Sequence, residues 1–141
     1  MRLTLDTCVI ASAFRSRQGA SRILLDLLYA RRFLAPTSPA LFLEYETVLS
    51  RPEQRAVHQF TDEQLETLLR DLADLVTPVP IRYHFRPQLR DPGDELVLEA
   101  AINGSADIIV THNVRDFLPE TTLFGIEVLT PGSILRERLR P

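Results

Sequence analysis

The run Ile108-Ile109-Val110 constrains this chain more than any other feature. It is short, continuous and β-branched, with no polar position in its alternation, so both of its faces must be covered. Strands of that kind belong to parallel sheets flanked by helices. Arg2-Leu3-Thr4-Leu5 alternates as a second strand, and Ile126-Glu127-Val128-Leu129 reads as another.

The segments between them carry helical periodicity. Ile23, Leu24, Leu27 and Leu28 recur on one face from Ala20 onward. Phe33-Leu34-Ala35 is a short apolar stretch that completes a β-α-β unit with the first strand. Ser38 as cap and Pro39 at the first position open a helix that buries Leu41, Phe42, Tyr45, Val48 and Leu49 and stops at Arg51-Pro52. Thr61 and Gln64 have capping-box spacing ahead of Leu65, Leu68, Leu69, Leu72 and Leu75. Pro78 and Pro80 end that stripe, so the two consecutive helices read as an inserted hairpin. Asp91-Pro92 starts a helix that Gly104 terminates, and Thr130-Pro131 starts a last one bearing Ile134, Leu135 and Leu139. The class is α/β with a mainly parallel sheet.

The chain has 141 residues, 45% of them hydrophobic, which suits a single domain over 1–141 and is too little for two. All sixteen basic residues are arginine. Without lysine, Schiff-base chemistry and lysine-dependent phosphate sites are excluded. A net charge of −3 excludes a general polyanion binder, so any nucleic-acid contact must come from local arginines. No apolar run approaches the ~20 residues of a membrane span, and no apolar block follows a basic start. With one cysteine and no structural zinc pattern, the expectation is a cytoplasmic protein without disulfides.

In an open parallel sheet, ligands bind beyond the carboxyl ends of the strands. The residues there are acids and their neighbours. Asp6 follows the first strand, Asn113 and Asp116 follow Val110, and Asp94 opens the helix that leads into that strand. Converging carboxylates repel one another, and a hard divalent cation is the usual remedy; oxygen-only donors favour magnesium or manganese. Each acid also has a plainer use. Asp6 can cap the next helix, and Asp91 reads as the N-cap before Pro92, whereas Asp94 stays open to either role. Asn113 and Asp116 have cap-like spacing and are weakly specific alone. Glu44 and Glu46 are not separated by helical geometry. Asp107 precedes its strand and reads as a turn residue, and Asp62, Glu66 and Asp71 belong to a solvated helix face. Cys8 fails the C-x5-R phosphatase pattern, because position 14 is Phe14, and is taken as a small buried hydrophobe. A lone His112 at the sheet edge is read as incidental.

Taken together, Leu5-Asp6-Thr7, Ser38-Pro39 through Glu44 to Ser50-Arg51-Pro52, Asp91-Pro92-Gly93-Asp94, and Ala106-Asp107 through Val110-Thr111-His112-Asn113 to Asp116-Phe117 resemble a PIN domain. The closest resemblance is to the VapC-like toxins of toxin–antitoxin systems, over nearly the whole chain. The resemblance implies a three-layer α/β/α sandwich with a central mainly parallel sheet. It places the metal-binding and catalytic acids on Asp6, Glu44, Asp94 and Asp116, and so favours Glu44 over Glu46. It implies a Mg2+- or Mn2+-dependent endoribonuclease that hydrolyses RNA to 5′-phosphate and 3′-hydroxyl ends. Thr111 and Asn113 would position water or a ligand carboxylate, and Arg115 would hold the phosphate backbone. A homodimer and a silencing protein antitoxin are implied partners. Two positions depart from the pattern: Asn113 stands where many relatives have aspartate, and Cys8 where asparagine is frequent, so a hydrogen bond orienting Asp6 is expected to be missing. The alternatives are an RNA-processing or structure-specific nuclease on the same site, or a non-catalytic scaffold that binds RNA or protein.

Overall fold

A computed structural model describes residues 1–84 and 89–141. The elements run β1 (Leu3–Leu5), α1 (Thr7–Arg15), α2 (Ala20–Tyr29), β2 (Pro36–Thr37), α3 (Pro39–Leu49), α4 (Pro52–His58), α5 (Asp62–Leu75), β3 (Thr77–Pro78), α6 (Pro92–Asn103), β4 (Ile108–Val110), β5 (Glu127–Leu129) and α7 (Pro131–Glu137). Short 3-10 turns at Val114–Asp116 and Glu120–Phe124 lie between β4 and β5.

The sheet is parallel, with β4 between β1 and β5; Leu3, Thr4 and Leu5 stand opposite Ile108, Ile109 and Val110. The β-branched run is thus the middle strand, and its three residues are buried, as a strand covered on both faces must be. β2 and β3 form a second parallel pair. It is held beside β1 by the Arg2–Leu34 bridge and by the Thr4 hydroxyl donating to the Pro36 carbonyl at 3.0 Å. Helix α6 packs on β1, β2 and β4, and α1 packs on α2 and α3. One apolar core runs through these layers, from Leu3 and Leu24 to Leu98, Ile109 and Ile134. The architecture is α/β with a parallel sheet, as the sequence implies.

The caps are where the sequence places them. Ser38, Thr61, Asp91 and Thr130 each accept a backbone N–H at the start of α3, α5, α6 and α7, and Thr61 with Gln64 closes a full capping box. Three expectations change. The strand expected at Phe33–Ala35 lies at Pro36–Thr37, because Leu34 makes only one bridge to the N-terminal strand while the Ala35 and Thr37 carbonyls accept the Thr77 and Val79 N–H groups. β3 has no signal in the sequence, since Pro78 looks like a helix stop and a two-residue strand has no periodicity to show. The expected helical hairpin contains a third helix, α4: Arg51-Pro52 ends α3 and also starts a new turn with proline at its first position. Among the described residues no helix is long and apolar enough to cross a membrane.

Candidate metal and nucleic-acid site

Asp6 leaves β1 with its N–H bonded to the Val110 carbonyl at 2.9 Å, so the ends of the two strands are locked together beneath it. Its Oδ1 accepts the Thr7 N–H at 2.7 Å, capping α1. Its Oδ2 accepts the Thr111 hydroxyl at 2.6 Å and the Cys8 thiol at 3.3 Å. Thr111 is fully buried, and its Oγ1 also accepts the Asn113 N–H at 3.0 Å. Three donors on one carboxylate hold Asp6 in a single orientation while its remaining lone pairs stay available.

This corrects the reading of Cys8. The side chain is half-buried, lines the cavity and donates to Asp6, so the bond expected to be missing without asparagine is made by sulfur instead. Burial, followed by the Asp6 charge, pushes the thiol up to about 11 and keeps it a protonated donor. No sequence signal separates this role from plain packing, because the donor and acceptor are two residues apart across a strand-to-helix turn.

Glu44 is placed by its neighbour. The Tyr45 hydroxyl, buried in the core, donates to the Leu5 carbonyl, which pins α3 to the end of β1 immediately before Asp6. Burial, then the Asp6 charge, pushes the Tyr45 phenol well above its ordinary range, so it stays a donor. Glu44 is then half-buried on the cavity wall, and Glu46 is exposed.

Asp91 spends Oδ1 on the Gly93 and Asp94 N–H groups, at 2.7 and 3.3 Å, and is the cap it was read to be. Gly93 was missed. A Cβ there would stand 3.0 Å from Asp91 Oδ1 and at an ordinary 4.0 Å from Glu44 Oε1, so the glycine makes room for the Asp91 cap. Asp94, on the first turn of α6, is pushed up to about 7, by burial first and then by the charges of Asp6, Asp91, Asp116 and Glu95.

Two adjoining cavities share Asp91 and Asp94. The smaller, about 290 Å³, is lined by Asp6, Cys8, Glu44 and Asn113 together with Arg15 and Arg51. The larger, about 730 Å³, is lined by Asp116, Arg90, Arg115, Leu89, Leu118 and Pro119. Asp6, Glu44 and Asp94 therefore surround one space, and Asp116, exposed on its 3-10 turn, stands across Asp94 in the next. Asn113 makes no side-chain cap, contrary to its spacing, because the residues after it form a 3-10 turn rather than an α-helix. His112 is exposed, with Nε2 and the Ser21 hydroxyl 3.1 Å apart.

The donor set is oxygen-rich and suits a hard divalent cation, and burial together with the neighbouring acids raises Asp94. Among the described residues, no three His, Cys, Asp or Glu side chains close on a common coordination point. The acids form walls, with Asp6 Oδ2 turned toward Thr111 and Cys8. The residue types fit such an ion, and a finished coordination sphere is not preformed.

Two buried acids were read only as parts of a helix. Glu95 Oε1 accepts the Leu89 N–H at 2.6 Å, and Glu99 Oε2 lies 3.0 Å from His84 Nδ1. With Asn103, which bonds the backbone of Arg82 and Tyr83, they tie Arg82, Tyr83, His84 and Leu89 to α6, and Leu89 and Arg90 line the larger cavity. Their sequence signal is faint, because a glutamate bonded to a neighbouring segment has the same helical spacing as one facing the core.

Comparison with curated proteins and with solved structures yields no significant match. The family model described as PIN domain matches residues 2–115, a span that includes β1, α3, α6 and β4 and all the acids above except Asp116. A parallel sheet with acids gathered beyond its carboxyl edge, matched over most of its length by that model, belongs to the PIN domain family.

Proposed function

We propose that the chain is a divalent-cation-dependent endoribonuclease, the toxin of a type II toxin–antitoxin system, acting in the cytoplasm as a homodimer silenced by a protein antitoxin. The observation that carries the reading is Asp94, a half-buried carboxylate on the wall shared by two acid-lined cavities and lifted by burial and then by the acids around it. In this reading Asp6, Glu44, Asp94 and Asp116 hold one or two magnesium or manganese ions. Such an ion, when bound, activates water and stabilises negative charge at phosphorus.

The chain's own residues do the rest. Thr111 and Cys8 fix the rotation of Asp6, and Tyr45 holds α3 so that Glu44 faces it. Asp91 keeps the first turn of α6 in place, which aims Asp94. Asn113 offers an amide oxygen without charge, and Arg115 offers a planar guanidinium to backbone phosphate. A pocket this acidic also suits an arginine inserted by an inhibitory partner, which is the form an antitoxin contact would take.

The test is incubation of the purified chain with labelled single-stranded RNA in magnesium or manganese. Cleavage to 5′-phosphate and 3′-hydroxyl products is expected, abolished by chelator and by Asp6→Ala. Equal cleavage by the wild type and Asp6→Ala would identify a contaminant and overturn the reading. For the toxin role, expression is expected to arrest growth, with relief by the product of a small adjoining gene. Unimpaired growth together with RNA cleavage in vitro would remove the toxin role and leave the nuclease.

A further inference from the structure

The arginines on the cavity rims differ from others in the chain in what they touch. Four arginines elsewhere are held by acids, Arg22 by Asp26, Arg55 by Asp62, Arg70 by Glu66 and Arg138 by Glu127, whereas Arg17, Arg31 and Arg140 lie away from both cavities. Arg15 and Arg51 line the smaller cavity, and Arg90 and Arg115 line the larger. All four are exposed, and among the described residues none of their side chains makes a hydrogen bond or ion pair. They share these cavities with Asp6, Glu44, Asp91, Asp94 and Asp116 yet pair with none. A guanidinium beside acids but not bonded to them keeps its planar array of donors open for another anion.

Their distribution has a direction. One pair belongs to each cavity, and Asp91 and Asp94 line both. The larger cavity, about 730 Å³, also has an apolar wall of Leu89, Leu118 and Pro119, a surface on which an unpaired base can lie. Net charge −3 argues against a broad polyanion surface, so binding must be local to such a line.

We propose that Arg15 with Arg51, and Arg90 with Arg115, form two phosphate subsites of one single-stranded nucleic-acid track. The backbone crosses Asp94 between them, and a nucleotide on one side of the crossing lodges in the larger cavity. This inference rests on the nuclease reading for what happens at the crossing, and its binding arm is independent of cleavage. Contacts to phosphate carry no base code, so the arginines set position and affinity rather than sequence.

The experiment measures anisotropy of a short labelled oligoribonucleotide on an Asp94→Asn background in EDTA, where acid repulsion is reduced and hydrolysis does not intervene. Arg15→Ala/Arg51→Ala and Arg90→Ala/Arg115→Ala are each expected to weaken binding roughly tenfold at low salt and to reduce the salt slope by about 1.4, from ~0.7 per phosphate contact. The quadruple variant is expected to lose the product of the two factors, since separate phosphates are involved. Arg22→Ala/Arg70→Ala is the control and is expected to bind as the background does. Single-stranded DNA of the same sequence is expected to compete, less well if ribose hydroxyls are also contacted, and duplex RNA to compete poorly. Unchanged binding in both rim pairs, equal loss in the control, or equal competition by duplex or by polyglutamate would overturn the track. Metal-dependent cleavage that persists beside such a result leaves the nuclease reading standing. Arginine-dependent binding with no cleavage in the wild type overturns the nuclease reading and leaves the track.

Discussion

The Thr111 hydroxyl donates to Asp6 Oδ2 at 2.6 Å, joining the residue after β4 to the residue after β1, 105 positions apart in the chain. That bond sets the rotation of Asp6 and also ties the loop carrying Asn113 to it, because the same Oγ1 accepts the Asn113 N–H. Thr111→Val keeps the shape and removes the donor. It is expected to lower stability by about 1–3 kcal/mol, the range for leaving a buried polar group short of a partner, and to reduce cleavage without moving the fold. Chemical denaturation and circular dichroism check the two halves; an unchanged denaturation midpoint would mean that Thr7 and Cys8 hold Asp6 unaided.

Cys8 separates donation from packing. Cys8→Ser retains a donor to Asp6 and is expected to keep most activity, while Cys8→Ala loses the donor and is expected to lower it. With its thiol pushed up to about 11, Cys8 is expected to react slowly with iodoacetamide at pH 8 and faster as pH approaches that value. Fast alkylation at neutral pH would contradict a thiol held protonated beside Asp6.

Asp94 makes the metal-free protein sensitive to pH. A carboxyl raised from 3.8 to about 7 binds its proton more tightly folded than unfolded, so stability falls as pH rises between those values and the full penalty is present above about 7. Because Asp94 is only half-buried, solvent screening reduces this to on the order of 1 kcal/mol. In EDTA, Asp94→Asn is expected to raise the melting temperature at pH 8 and to change it little at pH 4. Manganese is expected to raise the wild-type melting temperature more at pH 8 than at pH 5, and to do little for Asp94→Asn. A metal response independent of both pH and Asp94 would place the ion elsewhere.

Asp91 and Asp94 lie three residues apart and are expected to divide structure from chemistry. Asp91→Ala removes a cap bonded to two N–H groups and is expected to cost about 1 kcal/mol while retaining cleavage. Asp94→Ala and Asp6→Ala are expected to abolish cleavage. Equal loss of activity from all three, with Asp91→Ala still folded, would show that the cap carboxylate acts at the site as well.

Gly104 tests the packing that carries α6 into β4. A Cβ there would lie 2.4 Å from Pro36 Cβ and 2.9 Å from the Ala100 carbonyl, so Gly104→Ala is expected to destabilise by roughly 1–3 kcal/mol through overpacking. An unchanged denaturation midpoint would show that β2 can yield at this crossing.

What the residues by themselves determined is local. Ile108-Ile109-Val110 required cover on both faces, and Ser38, Thr61, Asp91 and Thr130 announced their helices, because caps and short-range periodicity act within a few residues. The acids at the strand ends were legible for the same reason, and which helix glutamate faced them was not. Tyr45 decided that by bonding Leu5, a contact across forty residues. The Cys8 thiol on Asp6, the buried glutamates of α6, and the division of the acids between two cavities that meet at Asp94 were likewise decided by tertiary structure. Each depends on where separate elements stop against one another, which packing of the whole core fixes and no local pattern encodes.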